Sequence, residues 1–98
     1  MPSLTVIQRR PNYGTGKKTA YTDTAGQCTV PPDTNTVIIW CTTDAFVRVG
    51  AEATVTDLPL PAYVIAEIPV DNKSGAPIVV SAIRDVSDGN FYCIAAAE

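Results

Sequence analysis

The amino-acid sequence predicts an all-β domain: a small antiparallel β-sandwich, jelly-roll-like or barrel, with an extended N-terminal arm. Of its 98 residues, 11 are valine, 8 isoleucine and 12 threonine, whereas leucine, lysine and glutamate contribute three each. β-Branched side chains favour the half-buried surface of a sheet, and a chain poor in strong helix formers has little basis for helices. Turn signals recur every ~8–12 residues, which is the spacing of short strands in sandwiches and barrels.

The predicted strands lie between prolines, glycines and clusters of turn residues. They cover residues 4–9, 27–30, 36–42, 45–49, 63–68, 78–84 and 91–95. The strand at 36–42 is apolar on both faces and is therefore predicted to be central. Thr43-Asp44 predicts a tight turn and a hairpin with 45–49, and Asp88-Gly89 predicts the turn between the last two strands. Residues 50–62 are expected to form a crossing segment, and the predicted core includes Trp40, Val47, Ile65, Val80 and Ile83.

The chain is predicted to consist of an N-terminal arm, residues 1–26, and a sandwich body, residues 27–98. The arm has room for one short strand. Residues 1–22 carry four basic groups and no acid, while residues 23–98 carry three basic and ten acidic groups, so the net charge of −3 combines +4 and −7. A basic arm can reach over an acidic neighbour. The candidate protein-interaction residues are Arg9, Arg10, Tyr13, Lys17 and Lys18. The alternative is a solvated tail, and four charges beside an acidic body predict no specific nucleic-acid binding.

Catalytic and metal-binding chemistry has little basis in this sequence. Histidine is absent, which removes the commonest metal ligand and general base. The stretch 14–19 resembles a phosphate loop, but Pro11 stands where the first glycine is required. The acidic residues mostly fall in predicted turns, where carboxylates cap backbone amides. We therefore expect no enzyme activity, no metal and no cofactor.

Three cysteines, Cys28, Cys41 and Cys93, are too widely spaced for a CxxC site. We expect all three to be reduced thiols, with Cys28 the most exposed, although their odd number leaves an intermolecular disulfide open. The longest apolar runs, such as 37–41, are far shorter than the roughly 20 residues of a membrane-spanning helix. In a secretory signal basic residues precede an apolar stretch, whereas Arg9 and Arg10 follow the apolar residues here. We therefore expect synthesis in a cytoplasm and no membrane partner.

The region from residue 37 to 94 contains a hairpin, a proline-rich crossing, a Ser-Ala-Ile strand and a final Gly-x-Phe-Tyr strand in that order. The residues concerned are Thr42-Thr43-Asp44-Ala45-Phe46-Val47-Arg48-Val49-Gly50, Ala53-Thr54, Leu58-Pro59-Leu60-Pro61-Ala62, Ile68-Pro69-Val70, Val80-Ser81-Ala82-Ile83 and Asp88-Gly89-Asn90-Phe91-Tyr92. In these motifs and their order the region resembles small virion proteins of tailed bacteriophages.

This resemblance implies a non-enzymatic virion structural protein, foremost a capsid decoration or cement protein that binds the major capsid protein and stabilises the head. It implies a place on the capsid surface after synthesis in the bacterial host cytoplasm, and a homo-oligomer, with a trimer as one option. The alternatives are another virion component, such as a head-tail connector, fibre base or tail protein, and a carbohydrate-binding β-sandwich, which would need exposed aromatic residues.

Overall fold

The computed structural model describes residues 10–70 and 75–96, which form a sandwich of eight β-strands. In chain order the strands are β1 (Lys17–Tyr21), β2 (Gly26–Val30), β3 (Thr36–Cys41), β4 (Ala45–Val49), β5 (Leu58–Leu60), β6 (Ala66–Pro69), β7 (Ile78–Arg84) and β8 (Gly89–Ala95). No helix with the length and hydropathy needed to cross a membrane occurs in these two ranges. The predicted strand at residues 4–9 lies outside the described residues.

The strands pair in a nested order that confirms the predicted fold class. The first sheet has the order β1-β8-β3-β6 and the second sheet the order β2-β7-β4-β5. Strand β1 pairs with β8, β2 with β7, β3 with β6 and β4 with β5, all antiparallel. A long antiparallel hairpin rolled onto itself produces these pairs, and they define an eight-stranded jelly roll.

The core lies between the two sheets and is built from the inward positions of each strand. Side chains alternate between the two faces of a strand, so β3 directs Val37, Ile39 and Cys41 inward, where they are buried. Val47 and Val80 of the second sheet are also buried in this core, as predicted. The prediction is wrong for Trp40, Ile65 and Ile83, which are only partly buried. Trp40 and Ile83 occupy the outward positions of their strands, and Ile65 lines the outer face of the first sheet beside Trp40.

The predicted hairpin between β3 and β4 does not form, because the two strands belong to different sheets. Two-residue hairpin turns need residues with positive φ, and none of residues 42–44 has one. Residues 42–44 instead carry the chain from the first sheet across to the second. The Asp88-Gly89 turn signal likewise joins strands of different sheets. Gly89 serves close packing there, since a Cβ atom would lie only 2.5 Å from Oγ1 of Thr43 and 2.8 Å from the hydroxyl of Tyr21.

Two further boundaries in the middle of the chain differ from the prediction. Residues 58–60, expected within a crossing segment, form the edge strand β5, where Pro59 is tolerated because an edge strand leaves one side unpaired. The predicted strand at 63–68 begins only at Ala66, because Tyr63 has a φ of 61° and interrupts the extended backbone.

The region predicted as an arm, residues 1–26 with room for one short strand, contains strand β1 in the part that the structure describes. Strand β1 is an integral edge of the first sheet, and Tyr21 at its end is 1% exposed. Before β1, the amide of Asn12 donates to the carbonyl of Ala95 at 2.7 Å, so the chain is already held to β8 there. Strand β1 begins with two lysines, so its sequence lacks the apolar alternation that marks the other strands. Its inward positions are 17, 19 and 21.

Candidate functional site

The outer face of the second sheet is covered at one position. The segment after β4 passes over β7 there, and the amide of Ala53 donates to Oγ of Ser81 at 3.0 Å. Ser81, on the outward side of β7, is consequently fully buried. The other outward side chains of this sheet are partly or fully exposed. The first sheet carries an open groove on its outer face, which makes this face the candidate binding site.

The groove, here called the apolar groove, has a volume of about 430 Å³. It is lined by Gly16, Lys17, Lys18, Ile38, Trp40, Ile65, Tyr92, Cys93 and Ile94. Ile38 of β3 pairs across the sheet with Ile94 of β8, and the missing side chain of Gly16 leaves the space beside Ile94 open. Two neighbouring isoleucines and a glycine therefore provide a shallow apolar surface at the middle of the sheet.

Three aromatic side chains form a row beside this surface, here called the aromatic row. Trp40 and Tyr92 are directly opposite each other on β3 and β8, with ring centroids 4.5 Å apart and an angle of 14° between the planes. Tyr63 lies against Trp40 with a centroid distance of 5.7 Å and is 69% exposed. Stacked aromatic pairs contribute about 0.5–1.5 kcal/mol beyond their burial. The Trp40–Tyr92 stack therefore holds its rings in a fixed orientation before any partner binds.

Basic groups border the apolar groove along β1. The ammonium group of Lys18 lies 5.6 Å from the centre of the Tyr92 ring, within cation–π range. Lys17 and Lys18, both predicted interaction residues, line the groove and are exposed. Arg10 and Tyr13 are exposed in the segment before β1 but are not part of the groove lining, and Arg9 lies outside the described residues. The site thus combines an apolar floor with positive charge on one edge.

The acidic residues that the structure describes include clear turn-capping groups, as the sequence indicated. The carboxylate of Asp57 accepts a hydrogen bond from the amide of Thr54 at 2.7 Å, and that of Asp44 accepts one from the amide of Ala62 at 2.9 Å. Nowhere in residues 10–70 and 75–96 do three or more metal-ligating side chains cluster in a way that could hold an ion.

The cysteines include a close pair that the sequence did not predict. Sγ of Cys28 on β2 lies 3.2 Å from Sγ of Cys93 on β8, between the two sheets. The hydrogen bond from Cys93, assisted by Thr19 and the charge of Lys17 against the effect of burial, lowers the pKa of Cys28 to about 7. The same hydrogen bond and burial raise the pKa of Cys93. Cys41 is fully buried, and burial raises its pKa to about 11.

Sequence reasoning placed Trp40 in the core and gave Ile38, Tyr92 and Ile94 no site role. The sequence does contain a signal for this site. Positions 38 and 40 of one strand and 92 and 94 of another carry large apolar or aromatic side chains on the outward face. The sequence does not show that these two strands pair, since β3 ends at Cys41 and β8 begins only at Gly89. Comparison with models of known protein families, with curated proteins and with solved structures gives no match.

Proposed function

We propose that this chain is a non-enzymatic structural protein of a bacteriophage particle, a decoration protein that binds the major capsid protein and stabilises the head. The apolar groove on the outer face of the first sheet carries the binding part of this proposal. The resemblance of residues 37–94 to small virion proteins supports the phage origin. The jelly roll agrees with it by analogy only, because this fold is used by capsid proteins and by lectins.

The groove favours a protein partner of defined chemistry. Its floor suits an apolar side chain or an extended segment, and Lys18 on its border suits a carboxylate beside that segment. The proposed occupant is therefore an apolar segment with acidic flanks on the capsid protein. A cement protein needs only moderate affinity at each site, because many identical contacts on one shell add together.

The proposal is tested on particles assembled with and without the chain. A decoration protein is present in on the order of hundreds of copies per particle, whereas a connector component has about a dozen or fewer. Particles lacking the chain should lose resistance to heat and osmotic shock. Equal resistance of both particle types would contradict the stabilising role, and a copy number near a dozen would assign the chain to the connector, a fibre base or the tail.

The contribution of the groove is tested with two variants and a control in a binding assay to undecorated shells. Lys18→Glu reverses an exposed charge on the border, and Trp40→Ala removes the centre of the aromatic row. Each should weaken binding about tenfold or more, with Lys18→Glu also reducing its salt dependence. Val86→Ala, which truncates a residue that is 77% exposed outside the groove, should bind like the unchanged chain. Equal binding of all variants would exclude the groove as the contact surface.

Carbohydrate binding is the second candidate, and the exposed ring of Tyr63 in the aromatic row favours it. Sugars stack on free aromatic faces, however, and Trp40 has Tyr92 and Tyr63 against it while Tyr92 has Lys18 over its ring. The ring faces are thus largely occupied, which favours an apolar protein segment over a sugar. Binding to a glycan panel that Trp40→Ala abolishes, without binding to shells, would establish the carbohydrate candidate instead.

A further inference from the structure

We infer that Cys28 and Cys93 form a redox-active dithiol pair, which a low-molecular-weight disulfide oxidises to an intramolecular disulfide joining the two sheets. This inference is independent of what the apolar groove binds. It rests on the Sγ–Sγ distance of 3.2 Å, which brings together two thiols that are 65 residues apart in sequence. Strands β2 and β8 belong to different sheets, so the bond would tie the sandwich together across its core.

The position of the pair gives a reagent access to one of the two thiols. Strands β1 and β2 are the edges of their respective sheets, and Cys28 lies on β2, where it is only partly buried. Cys93, in the interior strand β8, is 3% exposed. Lys17 occupies the position on β1 that pairs with Cys93, so its positive charge lies close to both sulfur atoms. Cys28 is therefore the thiol that meets an oxidant from solvent.

Two exchange steps account for all atoms and electrons. The Cys28 thiolate attacks one sulfur of a disulfide RSSR, such as oxidised glutathione; the S–S bond of the reagent breaks, and one RS⁻ leaves and takes a proton from water. Cys93 then loses its proton and attacks Sγ of Cys28, releasing the second RS⁻, which is protonated. The protein loses two protons and two electrons in total, and the reagent takes them up and becomes two thiols. The lowered pKa of Cys28 supplies thiolate for the first step near neutral pH.

The test uses the full chain, without denaturant, treated with increasing ratios of oxidised to reduced glutathione. The unchanged protein and Cys41→Ala should each lose the mass of two hydrogens, and Cys41→Ala should then have no free thiol after unfolding. Trypsin cuts after Lys18, Arg48 and Arg84, so a non-reduced digest of Cys41→Ala should link peptide 19–48 to peptide 85–98 through the only cysteines present. Dithiothreitol should reverse both changes.

Two further variants separate the pair from unspecific oxidation. Cys28→Ser should keep both of its remaining thiols under the same treatment, whereas Cys93→Ser should stop at the mixed disulfide between Cys28 and glutathione, because the thiol that attacks this intermediate is missing. Cys28→Ser alone suffices if the buried Cys93→Ser does not fold. Oxidation should raise the melting temperature of the unchanged protein by about 10 °C or more, because a disulfide constrains a long loop of the unfolded chain. Cys28→Ser should show no such shift. In the unchanged protein, a persistent glutathione adduct on Cys28, disulfide-linked dimers, or a link that forms only in denaturant would overturn the inference.

Discussion

The hydroxyl of Tyr21 fastens strand β1 to the connection between the two sheets, and its removal tests whether β1 is integral to the fold. The hydroxyl lies 2.9 Å from the carbonyl oxygen and 2.7 Å from Oγ1 of Thr43, and it accepts a hydrogen bond from the amide of Thr43 at 3.2 Å. Oγ1 of Thr43 in turn donates to the carbonyl of Ser87 at 3.0 Å. Tyr21→Phe removes the oxygen at the centre of this network and leaves the ring in place.

The expected loss follows from the groups left without a partner. An unsatisfied buried donor or acceptor costs about 1–3 kcal/mol, and because Thr43 is only partly buried, water can replace part of the loss. We therefore expect Tyr21→Phe to lower the free energy of unfolding by about 1–2 kcal/mol. A domain of this size has about 5–15 kcal/mol in total, so the melting temperature should fall by about 5–15 °C.

The assay is equilibrium unfolding in urea, followed by the fluorescence of Trp40, the single tryptophan of the chain, and by far-ultraviolet circular dichroism. The transition midpoint should move to lower urea with an unchanged slope. Tyr13→Phe is the matched control, because Tyr13 belongs to the same predicted arm but is 80% exposed; its effect should be within about 0.5 kcal/mol. Equal effects of the two substitutions would refute the anchoring role of Tyr21.

Two other predictions concern a buried hydroxyl and the cysteine thiols. The Ser81 hydroxyl is fully buried and hydrogen-bonds the amide of Ala53 and the carbonyl of Gly26, so Ser81→Ala should lower the free energy of unfolding in urea by about 1–3 kcal/mol. The control, Ser87→Ala at an exposed position, should lower it by less than about 0.5 kcal/mol. Equal losses for the two variants would contradict the prediction. Because the pKa of Cys28 is lowered to about 7 and the thiolate is the reactive form, its alkylation by iodoacetamide under reducing conditions should rise with a midpoint near pH 7. Cys41, with a pKa of about 11, should stay unmodified in the native protein over this range, as mass spectrometry of peptides can check; a midpoint near 9 for Cys28 would show an ordinary thiol.

Strands with long apolar alternation could be located from the sequence with small boundary errors. The predicted ranges 36–42, 45–49, 78–84 and 91–95 agree with β3, β4, β7 and β8 to within two residues. These strands supply the centre of both sheets, and burial of their inward side chains dominates the local preferences. Edge strands are shorter and carry fewer apolar residues, so β1 was assigned to an arm and β5 to a crossing segment.

The candidate site was only partly predictable. Lys17 and Lys18 were singled out for their charge, and they do border the apolar groove. Trp40 was assigned to the core, where large aromatic residues are commonly found. Its outward position became clear only when Tyr92 was found opposite it on β8. Local sequence gives the face of a strand but not the neighbour that the strand will have across the sheet.

Composition and periodicity by themselves determined that this chain is all-β and that its core is built from alternating, mostly β-branched residues. The strand content and the core pattern are local properties, since residue type sets strand preference and the two-residue period sets which side chains share a face. The tertiary structure alone decided the jelly-roll order, the placement of β3 and β4 in different sheets, the open groove and the approach of Cys28 to Cys93. Each of these depends on contacts between residues far apart in the chain, which form only when both sheets bury their inner faces together.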